Sequence, residues 1–171
     1  MAKGYIHIYT GSGKGKTTAA FGLAVRSLGH SKRVAVIQFL KNDVNYGEVK
    51  FLSNSAAIFQ FGSKKFVDPK NPTKDDIDLA KEALLKSREI LSSESYDLVI
   101  LDEIIVAASL KLISENDVLS LMKGKSESIE LVLTGRGATE RMINEADLVT
   151  EMKEVKHYFK QKVNAREGVE Y

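Results

Sequence analysis

Tyr5-Ile6-His7-Ile8-Tyr9 leads into Thr10-Gly11-Ser12-Gly13-Lys14-Gly15-Lys16-Thr17-Thr18, and an apolar-periodic stretch (Ala20, Phe21, Ala24, Val25, Leu28) follows as far as Gly29. A short strand, a glycine-rich turn, Lys-Thr and a helix, in that order, form the arrangement that cradles a nucleoside triphosphate. Glycines let successive backbone N–H groups converge on phosphate oxygens, and the helix adds its positive end. Lys16 is then expected at the distal phosphates as a point charge, and the Thr17 hydroxyl at Mg²⁺. The spacing departs from the usual G-x-x-x-x-G-K-[ST]: Thr10 stands five residues before Gly15, and counted from Gly11 the loop is one residue short.

Outward from this loop, apolar runs alternate with helix-period segments. Arg33 to Leu40 reads as a buried strand, nearly continuous in apolar residues as parallel sheets require. Gln38 and Lys41 interrupt it at its carboxyl end, where open α/β sheets bind ligands, and both are candidate site residues. Gly47 to Leu52 reads as a short helix and Ala57 to Phe61 as a third strand. Gly62 to Pro72 has no periodicity and holds both prolines; a loop of about eleven residues in a compact domain is functional or mobile. Phe66 inside it is either a ligand contact or an anchor packed on the core.

Thr73 with Asp75 and Asp76 opens a helix running to about Leu91, with Ile77, Ala80, Leu84 and Leu91 on one face and Glu82 paired to Lys86. Leu98-Val99-Ile100-Leu101 ends in Asp102-Glu103. An acid at that strand end can hold Mg²⁺ directly or through water, and Glu103 can bind the metal, polarise a water or meet the substrate. The plain alternative is that the two acids cap the next helix. Helices are expected from Ile104 to Leu110 and, capped by Ser114, on to Met122. Ile129 to Thr134 is the next strand, delivering Thr134-Gly135-Arg136-Gly137 to the same edge, where the guanidinium can fork onto phosphate or carboxylate. A helix near Glu140 to Ala146 precedes a last or edge strand at Leu148 to Met152. The tail to Tyr171 keeps its aromatics and is expected to dock.

These alternations predict one domain over residues 1–171: an α/β, doubly wound, mostly parallel sheet with helices on both faces. Right-handed crossovers would bring the glycine loop, Gln38–Lys41, Asp102–Glu103 and Thr134–Gly137 to one edge. At 43% apolar and 28% charged the composition is that of an ordinary globular domain, and a net charge of +2 offers no basic footprint for nucleic acid. Without cysteine there is neither a disulfide nor a thiolate metal site, and the three histidines lie too far apart for metal-ligand spacing. With no leader-like or membrane-length apolar stretch, a cytoplasmic enzyme is the expectation.

Taken together, Tyr9 to Gly22, Val36 to Lys41, Leu98 to Glu103, Leu133 to Gly137, Val155-Lys156-His157 and the closing Gly168-Val169-Glu170-Tyr171 resemble, in order, the signature segments of the P-loop corrinoid adenosyltransferases. The shortened loop is a feature of that family too. The resemblance implies a RecA-like homodimer that transfers the 5′-deoxyadenosyl group of ATP to Co(I) of a reduced corrinoid and releases triphosphate, in adenosylcobalamin biosynthesis or salvage. It implies Mg²⁺, a flavoprotein reductant, and ATP bound in reverse, so that the phosphates leave and the ribose faces the corrin.

Carried over by position, Gly11, Ser12, Gly13, Lys14, Gly15, Lys16, Thr17 and Thr18 would hold triphosphate. Lys16 would neutralise developing charge, Thr17 and Glu103 would meet the metal with Asp102 in support, Gln38 and Lys41 would lie near the nucleoside, and Arg136 near phosphate or corrin. The Phe66 loop matches the corrin-facing segment, where aromatics displace the lower axial ligand; members commonly carry Phe-x-Trp where this chain has Lys64-Lys65-Phe66. An N-terminal covering segment found in some members is not expected. Two other readings use the same residues: a P-loop kinase or ATPase acting at the γ-phosphate, and a non-enzymatic ATP-dependent switch engaging a protein through Gly62 to Pro72.

Overall fold

The protein is described by a computed structural model covering residues 3–63 and 65–171. Six strands form one sheet: β1 (Ile6–Thr10), β2 (Val34–Phe39), β3 (Ala57–Phe61), β4 (Leu98–Asp102), β5 (Glu130–Thr134) and β6 (Leu148–Glu151). Their order is β3-β2-β4-β5-β1-β6, and every pairing is parallel. Among the described residues the α-helices are α1 (Lys16–Gly29), α2 (Gly47–Leu52), α3 (Lys74–Ser92), α4 (Ile104–Ser109), α5 (Glu115–Gly124) and α6 (Glu140–Glu145), and a 3-10 turn spans Tyr158–Gln161.

Alternating side chains of the strands divide between two cores, as the period of two demands. Ile6, Ile8, Ala35, Ile37, Phe39, Val99, Leu101, Leu131 and Leu133 face a large core closed by α3, α4, α5 and Met142 of α6. Val34, Val36, Leu98, Ile100 and Val132 face the other way, under Ala20, Phe21 and Ala24 of α1 and Leu52 of α2. Burial on both faces explains the nearly unbroken apolar runs of β2 and β4, whose residues are all buried. The expected doubly wound sheet is therefore present, with every pairing parallel.

Local signals set the helix ends. Thr73 and Ser114 each make a reciprocal capping box, Thr73 with Asp76 and Ser114 with Asp117. Replacing Ser114 by alanine removes both the acceptor for the Asp117 N–H and one donor to its carboxylate, and should lower unfolding free energy by about 1 kcal/mol in a urea titration. On α3 the expected Glu82–Lys86 pair is not formed. Lys86 instead bonds Glu89 at 2.9 Å and places its ammonium 4.9 Å from the Phe59 ring centre, so a tertiary contact draws it away from Glu82. β6 is one of the two edge strands, β3 the other, and is exposed along its length.

Register positions the site. Gln38 of β2 lies beside Asp102 of β4, Leu101 beside Leu133 of β5, and Tyr9 of β1 beside Thr134. The carboxyl ends of four strands consequently meet around one aspartate.

Candidate functional site

The glycine loop leaves β1 and enters α1 with Gly15 at the cap in a left-handed conformation, φ 114°, and no side chain capping the helix. The first-turn N–H groups thus lack an internal partner and are available to an anion. Loop geometry depends on the residue that leaves β6. The Gly13 N–H donates to the Met152 carbonyl at 2.6 Å, and a Cβ on Gly11 or Gly13 would lie 2.5 or 2.7 Å from that oxygen. Those two glycines are required by the close approach of another strand's exit.

Lys16 is almost wholly buried and donates to the carbonyls of Gly11 at 2.8 Å and Gly13 at 2.7 Å. Burial, and secondarily the positive charge of Arg136, lower its pKa. Lys14 turns the other way, to the Tyr158 hydroxyl, the Val169 carbonyl and the Glu170 carboxylate, at 3.0, 2.9 and 2.5 Å. The tail docks on the loop through this contact, as its aromatics led us to expect. Glu170 also accepts from Arg166 and Tyr158; these donors, Arg166 foremost, hold its carboxyl far below the ordinary range. The exposed Ser12 and Thr18 side chains make no hydrogen bond among the described residues.

Asp102 is fully buried and accepts two hydrogen bonds on each oxygen. Thr17 and Thr134 hydroxyls donate to Oδ1 at 2.9 and 2.7 Å, and Gln38 Nε2 and Lys41 Nζ to Oδ2 at 3.0 and 2.7 Å. Burial alone would raise its pKa, but the Lys41 charge and these donors reverse that and hold it ionised. The same balance keeps Lys41 charged: burial opposes its charge, and Asp102 and Glu103 prevail. Gln38, expected near the nucleoside, is wholly buried, with its amide held between Asp102 and Gln60. Asp102, expected at the metal directly or through water and in support of Glu103, accepts from four protein donors.

Glu103 adopts φ 63°, rare for a non-glycine residue, and among the described residues its side chain makes no hydrogen bond and no helix cap. The Thr134 hydroxyl receives its N–H at 2.9 Å, which helps fix the turn. Burial, then the negative charge of Asp102, raises the Glu103 pKa. The helix-capping alternative for the acids is therefore not what forms.

A cavity of about 310 Å³ gathers Gly13, Lys14, Gly15, Lys16, Thr17, Lys41, Glu103 and Arg136 around one space. Tyr46, Glu48, His157 and Glu170 complete its wall and were not singled out from sequence as ligand contacts. His157 and Glu170 did fall inside the quoted closing segments, the only signal that could have marked them. Among the described residues no three His, Asp or Glu side chains converge into a ready metal cage. The Thr17 hydroxyl and the free Glu103 carboxylate are hard oxygen donors, which suits Mg²⁺ completed by phosphate oxygens and water.

A second depression, of about 360 Å³, adjoins the first and shares Lys41 and Tyr46 with it; Leu40, Asn42, Asp43, Ser63, Lys65 and Phe66 complete its lining. Phe66 is fully exposed, so it is no core anchor. Lys64, in the tripeptide expected from the resemblance to face the corrin, lies outside the described residues, as do Met1 and Ala2. No helix among the described residues is long and apolar enough to cross a membrane.

Comparison with known proteins adds three findings. The family model described as ATP:corrinoid adenosyltransferase BtuR/CobO/CobP matches residues 2–171. Corrinoid adenosyltransferases of Escherichia coli (strain K12) and Sinorhizobium sp are 33% and 36% identical, each across 99% of this chain and across 86% and 81% of their own lengths. Among solved structures, a KaiC-like protein from Pyrococcus horikoshii OT3 superposes with a TM-score of 0.60, covering 88% of this chain and 74% of its own; at 16% identity it bears on the fold alone.

Proposed function

This chain belongs to the ATP:corrinoid adenosyltransferase family, enzymes that adenosylate corrinoids with ATP, and from that premise we propose how its residues divide the work. The observation that carries the reading is the pair of contiguous cavities, one walled by the glycine loop and one by the Phe66 loop, with Lys41 and Tyr46 between them. Triphosphate occupies the first and the corrin approaches over the second, so the 5′ carbon of ATP lies at their junction. The Co(I) electron pair forms the cobalt–carbon bond. The carbon–oxygen bond to the α-phosphate breaks, and its electrons leave with triphosphate.

So strong a nucleophile needs no general base. The protein's contribution is positioning and stabilisation of the leaving anion. Lys16, the bare N-terminus of α1 and Arg136 face that anion, and Lys14 adds a further cation once released from Glu170. Thr17 and Glu103 would hold Mg²⁺, which supplies additional charge neutralisation to the triphosphate. A kinase or ATPase would use Lys16 and Thr17 equally well but would yield ADP, and family membership does not favour it. We also propose, on the resemblance, a homodimer, a cytoplasmic location and a flavoprotein reductant.

Incubation with ATP, Mg²⁺ and chemically reduced cobalamin tests the reading. A cobalt–carbon bond with stoichiometric triphosphate is expected; ADP and phosphate, or unchanged ATP, would refute it. Phe66→Ala separates reduction from transfer. Activity with Co(II) corrinoid and a flavoprotein reductant should fall roughly tenfold, while activity with preformed Co(I) changes less than about threefold. Equal losses would mean that the ring only shapes the loop.

A further inference from the structure

We propose that Lys41 is the resident cation of the Thr17–Asp102 pair, and that it directs the nucleotide's divalent ion to Glu103 by keeping it away from Asp102. Its ammonium stands 2.7 Å from Asp102 Oδ2 and 3.3 Å from Thr17 Oγ1, in the gap between a loop hydroxyl and a strand-end carboxylate. That gap, with one hydroxyl and one anionic oxygen facing each other, is what a hard divalent cation would otherwise take.

Three observations make the placement more than a surface ion pair. Asp102 is fully buried, and its four acceptor positions are filled by Thr17, Thr134, Gln38 and Lys41, two to each oxygen. The Thr17 hydroxyl spends its one proton on Asp102 and faces Lys41 with a lone pair. Register supports the arrangement from behind: Gln38 lies beside Asp102, and its own oxygen is held by Gln60 of β3 at 2.9 Å. A divalent ion entering the gap would have to break the Lys41–Asp102 bond and leave a partly buried ammonium beside a dication, a like-charge contact next to a fully buried carboxylate. Glu103 is next in the chain, and its carboxylate, which has no hydrogen-bond partner among the described residues, is the one left to the metal. The specificity-determining residue for metal placement is then a lysine two positions past β2.

This deepens the adenosyl-transfer reading and rests on it only in assuming that a divalent ion accompanies the nucleotide. The test uses Mn²⁺ alone, followed by electron paramagnetic resonance and by melting temperature, with no nucleotide or corrinoid present. Lys41→Ala should bind Mn²⁺ about tenfold or more tighter than the unaltered protein, the scale of removing one like charge beside the ion, and its melting temperature should rise with Mn²⁺. Adding Asp102→Asn should abolish both gains. Lys41→Gln, which keeps a donor for Asp102 but not the charge, carries the same comparison if the alanine variant does not fold. Equal Mn²⁺ affinity with and without Lys41, or a gain that survives Asp102→Asn, overturns the proposal. Because no corrinoid enters the assay, that result would leave adenosyl transfer untouched, and failure to form a cobalt–carbon bond would leave the Mn²⁺ result standing.

Discussion

Lys16→Ala is expected to reduce adenosyl transfer by about a thousandfold, the upper range for loss of one preorganised charge-stabilising contact. The side chain is nearly buried and already held over the loop by the Gly11 and Gly13 carbonyls. It therefore meets an incoming triphosphate with little rotamer entropy left to lose. Two roles fall together in the variant: the loop loses the cation that binds the phosphates, and the leaving anion loses its neutralisation as the carbon–oxygen bond breaks. Lowering of the Lys16 pKa by burial and by Arg136 marks an ammonium short of counter-charge, which a polyphosphate supplies. Steady-state kinetics in ATP should show kcat falling along with a rise in KM, and direct ATP titration should show weakened binding. Kinetics unaltered within about twofold would remove Lys16 from the chemistry.

The second large effect is expected from Glu103→Gln, an isosteric change that keeps the left-handed turn and deletes only the charge. Activity at limiting Mg²⁺ should fall roughly a hundredfold and recover in part as Mg²⁺ is raised, because the loss lies in metal affinity before it lies in the reacting atoms. The pH dependence gives an independent readout. Burial and the neighbouring Asp102 raise the Glu103 pKa, so protons compete for it at higher pH than for an ordinary glutamate. Apparent Mg²⁺ affinity of the unaltered enzyme should therefore decline as pH falls through that raised value, and the Gln variant should lack this dependence. A Gln variant with normal Mg²⁺ response would assign Glu103 to shaping the turn alone.

Much of this site was legible because its elements announce themselves locally. Gly15 at φ 114° ahead of Lys16, the apolar run ending in Asp102-Glu103, and the turn at Gly135-Arg136-Gly137 are each set by residues within a few positions of one another. Gln38 was harder. Its polarity inside an apolar strand marked it out, but a strand-end amide facing a ligand and one facing a neighbouring aspartate have the same sequence. The Lys86 partner failed for a related reason, since the i+4 rule cannot anticipate an aromatic ring presented by β3.

By itself, the sequence determined that a parallel α/β sheet would form and which strand ends would line one cavity, because period, capping and turn chemistry act over a handful of residues. Only the tertiary structure decided what those ends do to one another. The order β3-β2-β4-β5-β1-β6 sets Gln38 and Lys41 on Asp102, some sixty residues on, and brings the tail's Glu170 onto Lys14. Pairings at such separation follow from strand register and from the need to satisfy a buried charge, and neither is written in any local stretch of the chain.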